Sequence, residues 1–223
     1  MKAVYGDLVL HGADIDTLNP GEWLNDQVLE FALRWLSERS NSDLTVVPPA
    51  TTQLCLHAPT VAPSVAHDLR LNPARAPGVL FCVNNAADLT RPLAGSHWSA
   101  LVAVRTAGSS SCRYIHYDSI GVNNRVAEDL ANVLSGCPGF QGSERPPAVE
   151  HDRSFRGRQQ NDSDCGVFVA AVARAYMDVD MRGSEEGGWE EAVGARLAEI
   201  SSSSVMELRG ELLKALLSHS GLS

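Results

Sequence analysis

The stretch that decides the fold is residues 159–177, QQNDSDCGVFVAAVARAYM, which passes directly from a polar loop into an apolar helical pattern. Cys165 lies at the junction. A helix N-terminus presents unpaired N–H groups and a partial positive charge, and both favour a thiolate over a thiol. Gly166 leaves the backbone open to close approach by a substrate. The pattern predicts either a cysteine nucleophile at a helix N-terminus or a buried cysteine that only packs.

Two adjacent glutamines, Gln159 and Gln160, precede Cys165 in the same loop. Their amide groups can donate hydrogen bonds to an oxyanion that forms beside a nucleophile. On spacing alone, ordinary solvation of a polar loop is the simpler interpretation of both side chains.

Upstream of this loop, the sequence predicts three β-strands. Residues 78–83, GVLFCV, are continuously apolar, as in a strand buried on both faces of a sheet. Residues 98–105 and 113–117 follow, and the Gly/Ser-rich segment TAGSSS between them is typical of a hairpin turn.

The predicted hairpin brings a histidine and an aspartate together. A turn centred between Ala107 and Gly108 places His97 opposite Asp118, and a centre one residue later shifts the pairing by two. In either register the two side chains lie within about one strand pair of each other. An aspartate beside a histidine can fix its tautomer and stabilise its protonated form, although such a pair alone is more often structural than catalytic.

Helix signals occur near both ends of the chain. Residues 24–36 repeat apolar positions at helical spacing, with Asn25 or Asp26 as the N-cap. Near the C-terminus, Ser204 and Glu207 have the spacing of a capping box. The apolar side of that helix consists of Val205, Leu208, Leu212 and Leu216.

The organisation of the chain favours one domain. Residues 45–77 predict a short strand or two, one small helix and loop, and residues 122–134 carry a modest helical pattern. We find neither an internal repeat nor a convincing linker. We therefore expect a single α+β domain over residues 1–223.

The charge composition of the chain limits the classes of partner that it is expected to bind. The chain has 223 residues, with 18 Lys and Arg against 27 Asp and Glu, for a formal net charge of −9. This balance argues against general binding of nucleic acid, which depends on Lys and Arg neutralising phosphates, and is compatible with a basic protein partner. Residues 178–199 concentrate seven acids against two arginines, and this acidic stretch matches no motif.

The cysteines and the hydropathy pattern predict an intracellular protein without membrane contact. The five cysteines are isolated, and no CxxC pair occurs, which is typical of reduced thiols rather than disulfides or structural zinc. No signal peptide is recognisable at the N-terminus, and no apolar run approaches the roughly 18 residues of a membrane span. We expect a cytoplasmic or nuclear location and a monomer.

Four motifs in order identify a family. Trp23–Asp26 (WLND), Gly95–Ser99 (GSHWS), His116–Ser119 (HYDS) and Gln159–Gly166 (QQNDSDCG) resemble those of the ubiquitin-like-protein-specific (sentrin/SUMO-specific) cysteine proteases. Within this family, the single-domain length of the chain is most similar to that of the deneddylase branch.

The resemblance implies an α+β fold of the adenain-like, papain-related type, with a mixed central sheet flanked by helices and the nucleophile at a helix N-terminus. It implies that His97 is the general base, that Asp118 orients it and that Cys165 is the nucleophile. The family's oxyanion glutamine lies six residues before the cysteine, which is Gln159, and the adjacent Gln160 stays possible.

The resemblance also implies a binding site for the substrate tail. Trp23 and Trp98 resemble the pair that encloses a C-terminal Gly-Gly segment, since a tunnel between two indoles excludes any residue with a Cβ. Asp26 serves either as a helix cap or as a substrate contact. Core packing is the preferred interpretation of Trp35 and Trp189. The loop 84–96 is a candidate gate over the tail.

The implied reaction is cleavage after the C-terminal Gly-Gly of a ubiquitin-like modifier, without a metal or cofactor. The partners would be a Nedd/Rub-type modifier first, then SUMO, then ubiquitin, and their conjugates. A YopJ-type acetyltransferase shares the His–acid–Cys order but needs clustered basic residues, which are few here. A non-catalytic modifier-binding module would not need all three residues of the triad.

Overall fold

The chain begins with a small hairpin that the sequence did not predict. The computed structural model describes residues 2–73, 78–87, 95–105, 112–140, 147–179 and 188–220. Strands β1 (Lys2–Tyr5) and β2 (Leu8–His11) pair antiparallel through a turn at Gly6, whose φ of 59° suits glycine. An isolated bridge from Ala3 to Ser220 joins this hairpin to the other end of the chain.

Within the described residues, the main sheet has five strands and is mixed. In spatial order they are β3 (Thr45–Val47), β4 (Gly78–Asn84), β5 (Trp98–Arg105), β6 (Cys112–Tyr117) and β7 (Val149–His151). The three central strands are antiparallel, and the two outer strands run parallel to their neighbours. The predicted strands at 78–83, 98–105 and 113–117 are confirmed, whereas β7 lies in a segment without a strand signal.

Helices cover both faces of the sheet. They are α1 (Gly12–Asp16), α2 (Asp26–Arg39), α3 (Pro49–His57), α4 (Ala62–Asp68), α5 (Asn124–Ser135), α6 (Cys165–Met177), α7 (Gly188–Ala198) and α8 (Ser202–Ser218), with a 3₁₀ turn at Pro59–Val61. This arrangement confirms the predicted mixed sheet flanked by helices. The helix predicted at 165–177 has the bounds of α6, whereas the region 45–77 is more helical than expected.

The continuous apolar run of β4 reflects burial on both faces. Successive side chains of a strand point to opposite faces of the sheet. Leu80 and Cys82 join a core with α2, α6 and α8, whereas Val79, Phe81 and Val83 join a second core with α3, α4 and α5. Two hydrophobic layers therefore share one sheet, which holds its central strands rigidly.

The register of the central hairpin decides between the two predicted pairings. Ala100 pairs with Tyr117 and Arg105 with Cys112, which is the register of the later turn centre. The pairing that would set His97 directly opposite Asp118 is therefore wrong. The TAGSSS segment itself, residues 106–111, lies outside the described residues, as does most of the candidate gate, residues 88–94.

The predicted cap of the last helix is also wrong. The N-cap of α8 is Ser201, whose hydroxyl accepts a hydrogen bond from the backbone N–H of Ser204 at 3.2 Å. Ser204 returns the contact, because its hydroxyl accepts from the N–H of Ser201 at 2.9 Å. A serine replaces the glutamate of the usual box, so the helix begins earlier than the Ser204/Glu207 pair indicates. The four predicted apolar positions are all buried.

Part of the acidic stretch has a structural role. Its described C-terminal part forms α7, which buries Val193 and Leu197 against the core. Arg113 in β6 contacts both carboxylate oxygens of Glu150 in β7 at 2.9 Å and donates to Glu190 in α7 at 2.6 Å. Residues 180–187 of this stretch lie outside the described part of the chain.

Candidate active site

The topology brings His97 and Asp118 to one end of the sheet. His97 directly precedes β5 and Asp118 directly follows β6, and these neighbouring strands are antiparallel. Nε2 of His97 lies 2.7 Å from Oδ1 of Asp118, and both side chains are buried. The predicted juxtaposition is therefore confirmed, although the register differs from the directly opposed pair.

Backbone N–H groups hold Asp118 as a carboxylate. Its Oδ1 accepts from Ile120 at 3.0 Å and from Gly121 at 2.7 Å, and its Oδ2 accepts from Asn123 at 2.7 Å. Burial opposes the charged form, but the hydrogen bonds with His97 and with these N–H groups prevail and hold the pKa of Asp118 well below its ordinary value. The side chain therefore stays ionised and fixed in orientation.

His97 interacts with Cys165 as well as with Asp118. Burial lowers the pKa of His97, but the hydrogen bond to Asp118 and the interactions with Cys165 outweigh it and raise the pKa to about 9. Since Nε2 faces the aspartate, Nδ1 is the nitrogen left for the sulfur. Cys165 is the first residue of α6, as the sequence predicted. The three residues form a buried acid–histidine–cysteine row in which the imidazole favours its protonated form.

The other cysteines differ in their surroundings. All five cysteines are free and buried. Burial raises the pKa of Cys55, Cys82 and Cys137, and raises the pKa of Cys112 to about 12. These four thiols behave as small apolar side chains in the core.

The two glutamines occupy different environments. Gln159 is buried: its Oε1 accepts from the hydroxyl of Ser119 at 2.7 Å, and its Nε2 donates to the carbonyl of Asn161 at 2.7 Å. Gln160 is exposed. A side-chain amide has two N–H groups, so Gln159 keeps one donor while its orientation is fixed. This difference favours Gln159 over Gln160 as an oxyanion donor.

The tryptophans of the predicted tunnel are held in neighbouring segments. Trp98 is nearly buried, and its indole N–H donates to the carbonyl of Leu24 at 3.0 Å. Trp23, the residue before Leu24, is 45% exposed, which leaves its ring free for a ligand.

The N-cap of α2 is Asn25, whose side chain accepts a hydrogen bond from the backbone N–H of Val28. Asp26 is therefore an exposed acid in the first turn of α2 rather than its N-cap.

Gly166 has a packing role that the sequence did not indicate. A Cβ at this position would lie 2.9 Å from the Cβ of Leu24. The space beside its Cα is therefore filled by Leu24, and only its backbone is left for approach by a substrate.

Of the other tryptophans, Trp189 packs beside Tyr176, and Trp35 packs against the core under the guanidinium of Arg39.

Asn123 supports the site, and sequence reasoning missed it. It is fully buried; its side-chain N–H groups donate to the carbonyl of His97 at 3.2 Å and to the hydroxyl of Ser99 at 3.1 Å. Its backbone N–H donates to Asp118. It thus joins the two strand ends that carry the histidine and the aspartate. An asparagine five residues after the aspartate carries no pattern that distinguishes it from a loop residue.

A second buried histidine lies behind this site. His116 contacts the hydroxyl of Ser99 at 2.9 Å through Nε2 and Nδ1 of His151 at 3.0 Å through Nδ1. His151 in turn lies 3.3 Å from Glu128. Burial, against an opposing attraction from Asp118, lowers the pKa of His116 to about 4. This histidine is therefore neutral at physiological pH and serves packing and hydrogen bonding.

The described residues contain neither a candidate metal site nor a candidate membrane span. Within them, no group of three or more His, Cys, Asp or Glu side chains is placed to hold a metal ion. No helix in the same residues has the length and apolar character needed to cross a bilayer.

The chain is similar to proteases that act on ubiquitin-like modifiers, although no protein-family model matches it. It is 30% identical to NEDD8-specific protease 1 of Arabidopsis thaliana over 97% of this chain and 93% of that protein. It is 29% identical to sentrin-specific protease 8 of Homo sapiens over 77% of this chain and 78% of that protein.

Among solved structures, the C-terminal Ulp1 protease domain in complex with Smt3, the yeast orthologue of SUMO, superposes with a TM-score of 0.64. The match covers 99% of this chain and 88% of that domain at 13% identity. A likeness at this identity concerns the fold, and it confirms the fold predicted from the four motifs.

Proposed function

The chain belongs to the sentrin-specific (Ulp-type) family of cysteine proteases that act on ubiquitin-like modifiers, and we propose that its own substrate is a NEDD8-type modifier, cleaved after the C-terminal Gly-Gly. The observation that best supports this proposal is the 30% sequence identity with a NEDD8-specific protease over nearly the whole chain. SUMO and ubiquitin are the alternatives within the same reaction.

We assign the catalytic roles from the geometry of the buried row. Because the pKa of His97 is raised to about 9, its imidazole can hold the proton that Cys165 gives up when it acts as the nucleophile. Asp118 stabilises that charge through its 2.7 Å contact with Nε2. The nucleophile at the N-terminus of α6 therefore has an acceptor for its proton beside it.

The first half of the reaction forms a thioester. The thiolate of Cys165 attacks the carbonyl carbon of the terminal glycine, and a C–S bond forms as the carbonyl oxygen becomes an oxyanion. Gln159 and the backbone N–H of Cys165 donate to that oxygen. The C–N bond then breaks, and His97 gives its proton to the leaving amine, which is a substrate lysine or a precursor peptide.

The second half regenerates the enzyme. His97, now neutral, takes a proton from water, and the resulting hydroxide attacks the thioester carbonyl. The C–S bond breaks, the modifier leaves with a C-terminal carboxylic acid that loses its proton to solvent, and Cys165 returns to the thiolate beside protonated His97. His97 therefore carries the transferred proton in both halves of the reaction.

Selectivity for diglycine comes from Trp23 and Trp98. The hydrogen bond from Trp98 to Leu24 ties one indole to the segment that carries the other. A passage between two rings admits glycine and rejects residues with a Cβ. Asp26 is exposed beside this segment, which supports a role for its carboxylate as a contact to basic residues of the modifier.

Activity-based probes test the proposal. NEDD8, SUMO and ubiquitin carrying a C-terminal propargyl group are each incubated with the protein, and adducts are identified by intact mass. We expect the NEDD8 probe to react with wild type and with Cys55→Ala, which removes a core thiol, but not with Cys165→Ala. Reaction with only the SUMO or ubiquitin probe contradicts the modifier assignment, and loss of labelling in Cys55→Ala alone contradicts the nucleophile.

We further propose that residues 1–223 form one catalytic domain in the cytoplasm or nucleus. Two cores packed on the same sheet support a single domain, and five free cysteines support a reducing compartment. The monomeric state stays a prediction. Sedimentation velocity checks it, and a species at twice the chain's 23.9 kDa would contradict it.

A further inference from the structure

Arg209 is a buried cation on the apolar side of α8, between Leu208 and Leu212. It is 3% exposed, and all five guanidinium N–H groups have acceptors. Nε and Nη2 donate to Oδ1 of Asp164 at 3.0 and 2.8 Å, and Nη2 also donates to the carbonyl of Ser163 at 3.2 Å. A charge this deep in a protein is retained only with such complete pairing.

The two remaining donors of Arg209 reach the N-terminal part of the chain. Nη1 donates to the carbonyl of Thr17 at 2.9 Å and to that of Asn19 at 3.1 Å. These residues lead into the segment of Trp23 and Leu24. One side chain in the C-terminal helix therefore holds two segments that border the site.

Asp164 connects this cation to the loop before the nucleophile. Its Oδ2 accepts from the side chain of Asn161 at 2.8 Å, and Oδ1 of Asn161 accepts from the backbone N–H of Asp164 at 3.0 Å. The carbonyl of Asn161 accepts the 2.7 Å hydrogen bond from Gln159. A continuous hydrogen-bonded network thus runs from Arg209 through Asp164 to the proposed oxyanion donor.

The negative charge of Asp164 connects its pairing with Arg209 to the reactivity of Cys165. Asp164 directly precedes Cys165 and is itself buried. A carboxylate without a partner in that place would oppose the formation of a thiolate next to it. Arg209 cancels this charge and supplies the geometry that holds the loop.

We propose that Arg209 is a positioning residue for Cys165: it neutralises Asp164 and fixes residues 159–165, so that the nucleophile and the oxyanion donor keep their places. The proposal rests on the proposed role of Cys165 as the nucleophile. Arg209 does not itself touch the reacting atoms.

The test uses a reaction that needs no modifier. Alkylation of Cys165 by iodoacetamide is followed as a function of pH, with the modified peptide quantified by mass spectrometry. The charged groups around the sulfur are His97, backed by Asp118, together with Asp164 and Arg209. In Arg209→Met the remaining carboxylate should move the midpoint of the alkylation profile to higher pH by about one unit or more.

Removing the other partner should have the opposite effect. In Asp164→Asn the remaining guanidinium should move the alkylation midpoint to lower pH. A merely structural role would not produce shifts of opposite sign. Should Arg209→Met not fold, Asp164→Asn alone decides, and a profile unchanged from wild type overturns the proposal.

The chain offers a matched control on the same two helices. Arg174 in α6 pairs with Glu211 in α8 at the surface, and both side chains are substantially exposed. Arg174→Met removes an α6–α8 ion pair without touching the loop of the nucleophile. We expect its alkylation profile to equal that of wild type, and a shift as large as that of Arg209→Met would overturn the proposal.

Turnover of a modifier provides the second measurement. Arg209→Met should lower kcat by about 10²-fold, as displacement of a reacting group by about 1 Å does, with KM little changed. A KM effect with normal kcat and normal alkylation overturns the positioning role. If no modifier is cleaved by wild type but the alkylation shifts occur, the proposed function fails while the role of Arg209 stands.

Discussion

Two buried histidines, His97 directly before β5 and His116 in β6, have pKa values shifted in opposite directions. His97 has a pKa raised to about 9, and His116 has a pKa lowered to about 4, although both are less than 5% exposed. Burial disfavours the cation in each. His97 has an aspartate at 2.7 Å on one nitrogen, whereas His116 contacts the hydroxyl of Ser99 and another imidazole.

The difference shows that the partner and not the depth of burial decides the charge of a histidine here. A full negative charge in contact outweighs the loss of hydration, and a hydroxyl does not. One histidine at the end of the sheet is therefore protonated near neutral pH, whereas the other, within β6, stays neutral. The motifs GSHWS and HYDS contain the two residues, and the resemblance implies a role only for His97, but neither motif indicates the charge state of its histidine.

The largest expected effect separates the two histidines in catalysis. His97→Ala should lower kcat by about 10⁴-fold or more, since the base of the triad is lost. His116→Asn keeps a polar side chain and should leave kcat within a few-fold of wild type. Hydrolysis of a fluorogenic C-terminal amide of NEDD8 measures both. Comparable losses in the two variants would break the distinction.

Removing the anion should make His97 resemble His116. In Asp118→Asn, the pKa of His97 should fall below its present value of about 9, because burial then acts without a compensating charge. We expect kcat to fall by about 10⁴-fold, as when the aspartate of another triad is replaced by asparagine. NMR titration of the imidazole measures the pKa. Asp129→Asn, on the surface of α5, is the control, and an unmoved His97 would refute this account.

The contrast between a fixed and an exposed side chain extends to the adjacent glutamines. Gln159→Ala should slow kcat by about 10²–10³-fold through loss of an oxyanion donor, whereas Gln160→Ala should be nearly neutral. The two variants are compared on the same fluorogenic substrate. A larger loss in Gln160→Ala would reverse the assignment.

The smallest effect concerns stability against pH. Below pH 6.5 the unfolded chain protonates His116 more readily than the folded chain does, so its contribution to stability is present above pH 6.5 and is lost as pH falls through about 4. His97 acts in the opposite sense: its contribution is present below pH 6.5 and is lost as pH rises through about 9.

Urea unfolding at pH 7 and pH 4.5 measures this contribution. Between pH 7 and pH 4.5, the free energy of unfolding of His116→Asn should fall by about 2 kcal/mol less than that of wild type. The exposed His67 provides the control, since His67→Asn should keep the pH dependence of wild type. If the free energy of unfolding of His116→Asn fell by as much as that of wild type, the buried imidazole would not be the source of this pH dependence.

Local patterns predicted a large part of the fold. The apolar run at 78–83, the helix beginning at Cys165 and the buried side of α8 were predicted because each follows from a spacing within a few residues. The cap of α8 was not, since a serine took the place of the glutamate in the box. The hairpin β1–β2 and the strand β7 carried too few residues to give a pattern.

The sequence predicted the residues of the candidate site and the juxtaposition of His97 with Asp118, but not the hydrogen bonds that hold the site. His97, Asp118 and Cys165 were identified by motif, and the structure brings them together at one end of the sheet. Their catalytic roles, and those of Gln159 and the tryptophans, stay predictions for the experiments above. Asn123 and Arg209 were missed, because nothing near them in sequence marks them as parts of the site.

The sequence by itself determined where the helices and central strands form and which residue types could carry out thiol chemistry, because periodicity and motif spacing are local properties. Only the tertiary structure decided the register of the hairpin, the burial of Gln159 beside an exposed Gln160, the different charge states of the two histidines and the pairing of Arg209 with Asp164. Hydrogen bonds and ion pairs of this kind join residues up to 192 positions apart. Their strength depends on burial and distance, which exist only after the chain has packed.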